Sequence, residues 1–224
     1  MGLKMETLEE SRAKIFTELT SDDSDVRAEY LKLFECDAQK FATSMAQAVM
    51  KWRTLDADVR GDENRAYVSS LVCTAISIHV LSLKLLLSGH IVAAGNLSRQ
   101  VVEFFALSLL CAGKDLTVLE RYKNGNYSTH KAISGLLRHS GKLGLNRDGV
   151  EALKDAQKFY SKFSHPTPLT QATFMSFSGQ GLYVGANFDN GKVEQYRQEV
   201  NSRVDLAEVF PNFVDGIIAN VETW

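Results

Sequence analysis

Arg99 and Glu103 stand four residues apart inside an apolar run, HIVAAGNLSRQVVEFFALSLLCA, residues 90–112. On a helix that spacing places them one turn apart, where a guanidinium and a carboxylate meet as an ion pair. Asn96, three residues before Arg99, falls on the same face. Gly89 and Ala93 lie on about the same side and let another backbone approach closely. Charges taken into a protein interior must be paired. The set therefore reads in two ways: an ion pair locking two helices, or the polar floor of a cleft. An isolated pair argues for the lock, and a third polar group arriving from elsewhere argues for the floor.

A second set lies in KFYSKFSHPTPLT, residues 158–170. A residue preceding proline is pushed out of the α region, so a helix through Lys154–Ser164 must stop at His165. Ser161 is one turn before His165 on the same face, and Phe159 and Phe163 lie on another face as core anchors. An imidazole beside the hydroxyls of Tyr160, Ser161 and Ser164 and near a cation suits general acid–base work. It equally suits a C-cap that bonds the spare carbonyls of the helix end.

A third feature is a stretch without acid. Between Glu120 and Asp148 lie Arg121, Lys123, Lys131, Arg138, Lys142 and Arg147, with His130, His139, Tyr122 and Tyr127 interleaved. Cations with aromatics are compatible with a phosphate or RNA surface. The alternatives are a solvated helix face, or a dimer surface meeting the acidic N-terminal helix. The phosphate-binding, zinc-protease and hydrolase-elbow motifs are missing. The five histidines have no ligand spacing with cysteine or carboxylate, so no metal and no cofactor are expected. Three scattered cysteines do not make a disulfide framework; they read as reduced, buried thiols of a cytoplasmic protein.

These groups need elements to position them. The chain has 224 residues, a net charge of −2, 45% apolar residues and only three prolines, all after residue 165. The first 160 residues therefore favour long helices. An amphipathic helix is expected over Leu3–Leu19, and a long one from SDDSD (21–25) to about Leu55, where Tyr30, Leu33, Phe34, Phe41, Met45, Val49 and Trp52 keep helical spacing. The charged N-terminus lacks the apolar stretch of a signal peptide. Two apolar runs, 66–88 and 90–112, carry His79, Lys84, Arg99 and Glu103 and are separated by Gly89 alone. They read as central helices of a soluble bundle, not as a membrane hairpin. Residues 173–191 alternate and are rich in glycine, which predicts a β-hairpin. The expected architecture is an all-α, up-and-down bundle in one domain: N-terminal helices over 1–55, a bundle core over 61–165, a β-hairpin over 172–190 and a C-terminal helix over 191–223, kinked at Pro211.

The stretches LLLSGHIVAAGNLSRQVVEFFALSLLCAG and FYSKFSHPTPLT, followed by GLYVGANFD, together resemble bacterial proteins of the HEPN type over roughly residues 65–190. That resemblance implies a four-helix bundle, often a homodimer, and for many members a metal-independent ribonuclease acting in phage defence or stress. The family's usual motif is an arginine, four to six residues, then a histidine. His165 matches the histidine, and Lys158, with six residues between, stands where the arginine belongs. A lysine lacks the arginine's bidentate fork for phosphate. On this resemblance, RNA or a nucleotide is the partner and His165 moves the proton of the ribose 2′-hydroxyl. Arg99 or Lys158 stabilises the phosphate, Glu103 orients Arg99 and Ser161 holds His165. The rival reading is a non-catalytic helical interaction protein whose apolar helices form a homodimer.

Overall fold

The computed structural model describes residues 6–224, which form nine α-helices joined by short 3₁₀ turns. Helix α1, Leu8–Thr20, begins at a capping box in which Thr7 and Glu10 satisfy each other's backbone N–H groups. The expected start of this helix at Leu3 lies outside the described residues. Helix α2, Ser24–Ala57, is 34 residues long and bends where Phe34 leaves helical geometry (φ −126°, ψ 15°). Helix α3, Glu63–Leu87, is capped by Asp62, whose carboxylate accepts from the N–H groups of Asn64 and Arg65. Helix α4, Ile91–Ala112, follows after a corner at Gly89, whose φ is +81°.

That corner needs glycine for two reasons. Its φ lies in the left-handed region, and a Cβ there would stand 2.6 Å from the backbone nitrogen of Asn187 and 2.8 Å from Val26. The two apolar runs thus turn back on each other as α3 and α4, which pack together along their lengths. Helix α9, Val193–Val221, closes the bundle against α2, α3 and α4 and runs unbroken through Pro211. Helix α3 is long and apolar enough to cross a membrane, and half of its most apolar window is buried against its neighbours.

The chain between α4 and α9 is made of shorter pieces: α5 (Val118–Lys123), α6 (Ala132–His139), α7 (Arg147–Tyr160) and α8 (Pro168–Thr173). Asn146 caps α7 through its side-chain oxygen. A 3₁₀ turn, Ser161–Ser164, extends α7 and lies against α4. There Phe163 covers Gly95, where an added Cβ would come within 2.5 Å of the ring.

The β-hairpin expected over 172–190 does not form. Among the described residues there is no strand, only one antiparallel bridge between Met175 and Leu182. The alternation is real, and the N–H groups of Ser176 and Tyr183 reach the carbonyls of Gly181 (3.0 Å) and Phe174 (2.7 Å), but the donors that follow Ser176 go to a side chain. Asp189, 1% exposed, accepts from the N–H groups of Phe177 (2.6 Å), Ser178 (3.1 Å) and Gly191 (2.8 Å). Donors bound to a carboxylate are withdrawn from a ladder. Burial pushes the Asp189 carboxyl up, but these hydrogen bonds outweigh it and hold it down to about 2. Lys192, also buried, donates to the carbonyl of Thr173 (2.8 Å) and lies over the rings of Phe177 and Tyr183.

Candidate functional site

Helix α4 carries a polar line along one face. Arg99 Nε donates to Glu103 Oε1 at 2.9 Å, the pair expected from the spacing. Two further groups arrive from the α7 segment. Gln157 Nε2 donates to the same carboxylate oxygen at 3.1 Å, and Arg99 Nη1 donates to Ser164 Oγ at 3.2 Å. Ser164 Oγ in turn donates to Asn96 Oδ1 at 2.7 Å, while Asn96 Nδ2 donates to the carbonyl of Phe163 at 3.1 Å. The pair is therefore not isolated. Five side chains and a backbone carbonyl join α4 to the α7 segment in one relay, and the Arg99 side chain remains 28% exposed beside a Glu103 that is 16% exposed.

Asn96 also borders a cleft of about 340 Å³ at the start of α4, lined by Ile91, Val92 and Ala93 and, across from them, Thr173, Phe174 and Asn187. The first residues of a helix present N–H groups without intrahelical partners. The N-cap residue His90 makes no side-chain cap and instead meets Asp23 at 2.8 Å. A run of polar groups thus leads from the head of α4 through Asn96, which borders the cleft, to Ser164 and Arg99. The carboxylates of Asp23 and Glu18 stand against the cleft residues His90 and Gly185, while Lys158, Lys162 and His165 are exposed on the α7 segment.

Not all of the expected residues meet. Among the described residues, no hydrogen bond joins the His165 imidazole to Arg99, Glu103, Lys158 or Ser161. Ser161 Oγ donates to the carbonyl of Gln157 within its own helix (2.7 Å). His165 has extended backbone, φ −132° and ψ 156°, as a residue before proline should. Its side chain is not the cap of the helix end. Thr167 and Thr170 take that place, their hydroxyls donating to the carbonyl of Lys162 at 3.0 Å each, and Thr170 also reaching the carbonyl of His165.

The basic stretch divides. Lys123 lies against Asn64 and Glu63 and over the Tyr67 ring, and Arg147 is paired with Glu151 at 3.1 Å. Arg121 lies over the Tyr127 ring. Lys131, Arg138 and Lys142 stand exposed on α6 and its flanks. Among the described residues, no three His, Cys, Asp or Glu side chains gather as a metal site.

A buried polar centre was missed in the sequence. Arg203 of α9, 1% exposed, donates through Nη1 to Glu199 Oε2 (2.7 Å) and through Nε to Ser82 Oγ (2.9 Å), with its guanidinium over the Tyr160 ring. Ser82 shares a hydrogen bond with Ser98 of α4 (2.8 Å). His79, fully buried, donates from Nε2 to the carbonyl of Arg203 and stacks on Phe210. Burial, and then the Arg203 charge, push the His79 imidazole down to about 3, so it is neutral. The available signal was positional: Arg203 falls in the series Tyr196, Val200, Arg203, Ala207, Phe210, Val214, whose steps of three and four mark a core face. Compared with known proteins, the chain matches no family model, no curated protein and no solved structure.

Proposed function

We propose that this chain is a HEPN-like all-α protein that binds a phosphate-bearing ligand, a nucleotide or RNA, without metal and without cleaving it. The observation that carries this reading is the fixed, partly open Arg99. Glu103 and Gln157 orient it from one side and Ser164 from another, and Ser164 links it to Asn96, which borders the cleft at the start of α4. An arginine held this way keeps an edge for a phosphate and loses little freedom on binding. Lys158 and Lys162, exposed on the α7 segment that carries Ser164, add positive charge to the same part of the chain. Cleavage would require His165 to share the reacting atoms with Arg99 or Lys158, and the imidazole makes no bond to the Arg99 relay.

The test uses RNA and mononucleotides in EDTA, with intact protein. Retention of labelled RNA or of a mononucleotide is expected, reduced in Arg99→Gln and weakened by salt, with no cleavage product. Loss of Arg99 leaving retention unchanged removes this site from the function. Cleavage abolished by His165→Ala in a folded protein refutes the non-catalytic reading.

A further inference from the structure

Glycine inside a helix costs stability relative to alanine. At Gly95 a close approach explains it, because Phe163 lies directly over the backbone. Gly216 has no such reason. It lies within α9, and nothing stands within 4 Å of an added Cβ there. Gly149, in the first turn of α7, is equally open. Both glycines line the same groove.

Helices α7 and α9 each pack on α4 but scarcely on one another. The space left between them, about 460 Å³, is floored by Phe105 and Leu109 of α4 and bordered by Leu153, Leu206 and Val209. Val209 is 48% exposed, so apolar surface meets water there. The groove follows α9 from Asp205 to Gly216, about 16 Å at 1.5 Å per residue, which leaves a section of about 30 Å². A helix with its side chains is about 10–12 Å across. The slot is too narrow for one, and it admits an aliphatic chain or a ring edge-on. Its volume and apolar lining are those of small-molecule pockets.

The charge around this slot has one sign. Asp205 is the one charged side chain among the lining residues. The two walls, residues 147–155 and 205–216, hold six acids and two bases, a net of −4. Glu151 is paired with Arg147, and Asp215 with Lys51. Asp148, Asp155, Asp205 and Glu208 have no ion-pair partner among the described residues. Arg138 and Lys142, which lie on and just after α6, do not line the groove.

We propose that the α7–α9 groove binds a small hydrophobic cation, an aliphatic or arylalkyl amine. Its apolar body lies on the α4 floor in the space that Gly149 and Gly216 leave open, and its ammonium donates to the Asp205 carboxylate. A charge-assisted hydrogen bond beside apolar surface is stronger than the same bond in water. The unpaired carboxylates of the walls draw cations in and turn away a ligand of the same shape that carries a carboxylate. No residue of the Arg99 relay takes part, so this site and the phosphate site stand or fall separately.

Titration calorimetry of the intact protein with phenylbutylamine and with phenylbutyrate tests it, because the two probes share a body and differ in charge. The amine is expected to bind at least about tenfold tighter than the acid. Asp205→Asn, at an exposed position, is expected to weaken the amine about tenfold and to leave the acid little changed. Gly216→Leu fills the slot and is expected to abolish amine binding in a chain that circular dichroism shows to be folded. Arg99→Gln is expected to bind the amine as the wild type does. No amine binding at millimolar concentration overturns the proposal, as does equal affinity for amine and acid. Unchanged amine affinity in Asp205→Asn, or binding retained by a folded Gly216→Leu protein, does the same. A basic amphipathic peptide bound in place of the amine would give the groove to a protein partner and overturn it as well.

Discussion

Gly95→Ala is the most informative single substitution, because two effects of opposite sign compete there. In an exposed helix interior, alanine is favoured over glycine by about 1 kcal/mol. Gly95 is buried in α4, and its Cβ would stand 2.5 Å from Cγ and Cδ2 of Phe163. Ordinary carbon contacts are about 3.5–4.0 Å, so the ring or the 161–164 turn must withdraw by about 1 Å. Phe163 is itself 4% exposed and is backed by Phe159 and Tyr160. Overpacking of this kind costs about 1–3 kcal/mol. Withdrawal of the turn also lengthens the bonds of Asn96 to Phe163 and Ser164, each worth about 1 kcal/mol. The net expectation is a loss of about 2 kcal/mol, or about 4–8 °C in melting temperature for a chain of this size. Gly216→Ala in α9, where nothing lies within 4 Å of an added Cβ, is the control and is expected to gain up to about 1 kcal/mol. Thermal and urea unfolding of both variants decide it. A Gly95→Ala protein as stable as its Gly216→Ala counterpart would mean that Phe163 does not hold the turn on α4, and that the Arg99 relay is not fixed as described.

The buried centre gives two further expectations. His79 is neutral in the fold, held down to about 3 from an unfolded value near 6.5, so the unfolded chain binds the extra proton first. Stability should be at its plateau above pH 6.5 and fall as pH drops towards 3, by up to about 1.4 kcal/mol per unit; His79→Phe should flatten that slope in pH-dependent unfolding, and an unchanged slope would assign it to carboxylates instead. Arg203→Met should destabilise by about 3 kcal/mol because Glu199 is left with its charge uncompensated, and adding Glu199→Gln should recover most of the loss; equal stability of single and double variants in urea would break the argument. Gly185 has a φ of +90° and an added Cβ would meet the Glu18 carboxylate at 1.9 Å, so Gly185→Ala should speed hydrogen exchange in α1 while leaving α3 and α4 protected.

Much of this architecture was readable in the residues. The helical spacing of Tyr30, Phe34, Phe41 and Met45, the single glycine between two apolar runs, and the Arg99–Glu103 step each led to the element observed. What escaped was set by groups far apart in the chain. The alternation at 173–191 has the period of strands, but Asp189, inside that stretch, takes the N–H groups of Phe177 and Ser178, and only a single bridge forms. The group that meets Arg99 is the Ser164 hydroxyl rather than the imidazole of the neighbouring His165, because the 3₁₀ turn brings Ser164 towards α4 and leaves His165 exposed. The apolar helices α3 and α4 supply much of the core, while Val80 and Leu81 of α3 stay exposed, and a further exposed apolar stripe lies on α1.

The position of α9 has a consequence for how the chain is made. It is the last element in sequence, yet it lies against α2, α3 and α4 and supplies Phe210, Phe213 and Ile217 to the core. A ribosome adding about 5–20 residues per second completes the α3–α4 hairpin roughly 80 residues before Val193 emerges. For that interval Val72, Ile76, Leu83 and Phe105 have no α9 to cover them, and Ser82 waits for Arg203. The nascent protein therefore presents its stickiest surface during synthesis rather than after it, and this is the stage at which chaperone engagement and aggregation compete with folding.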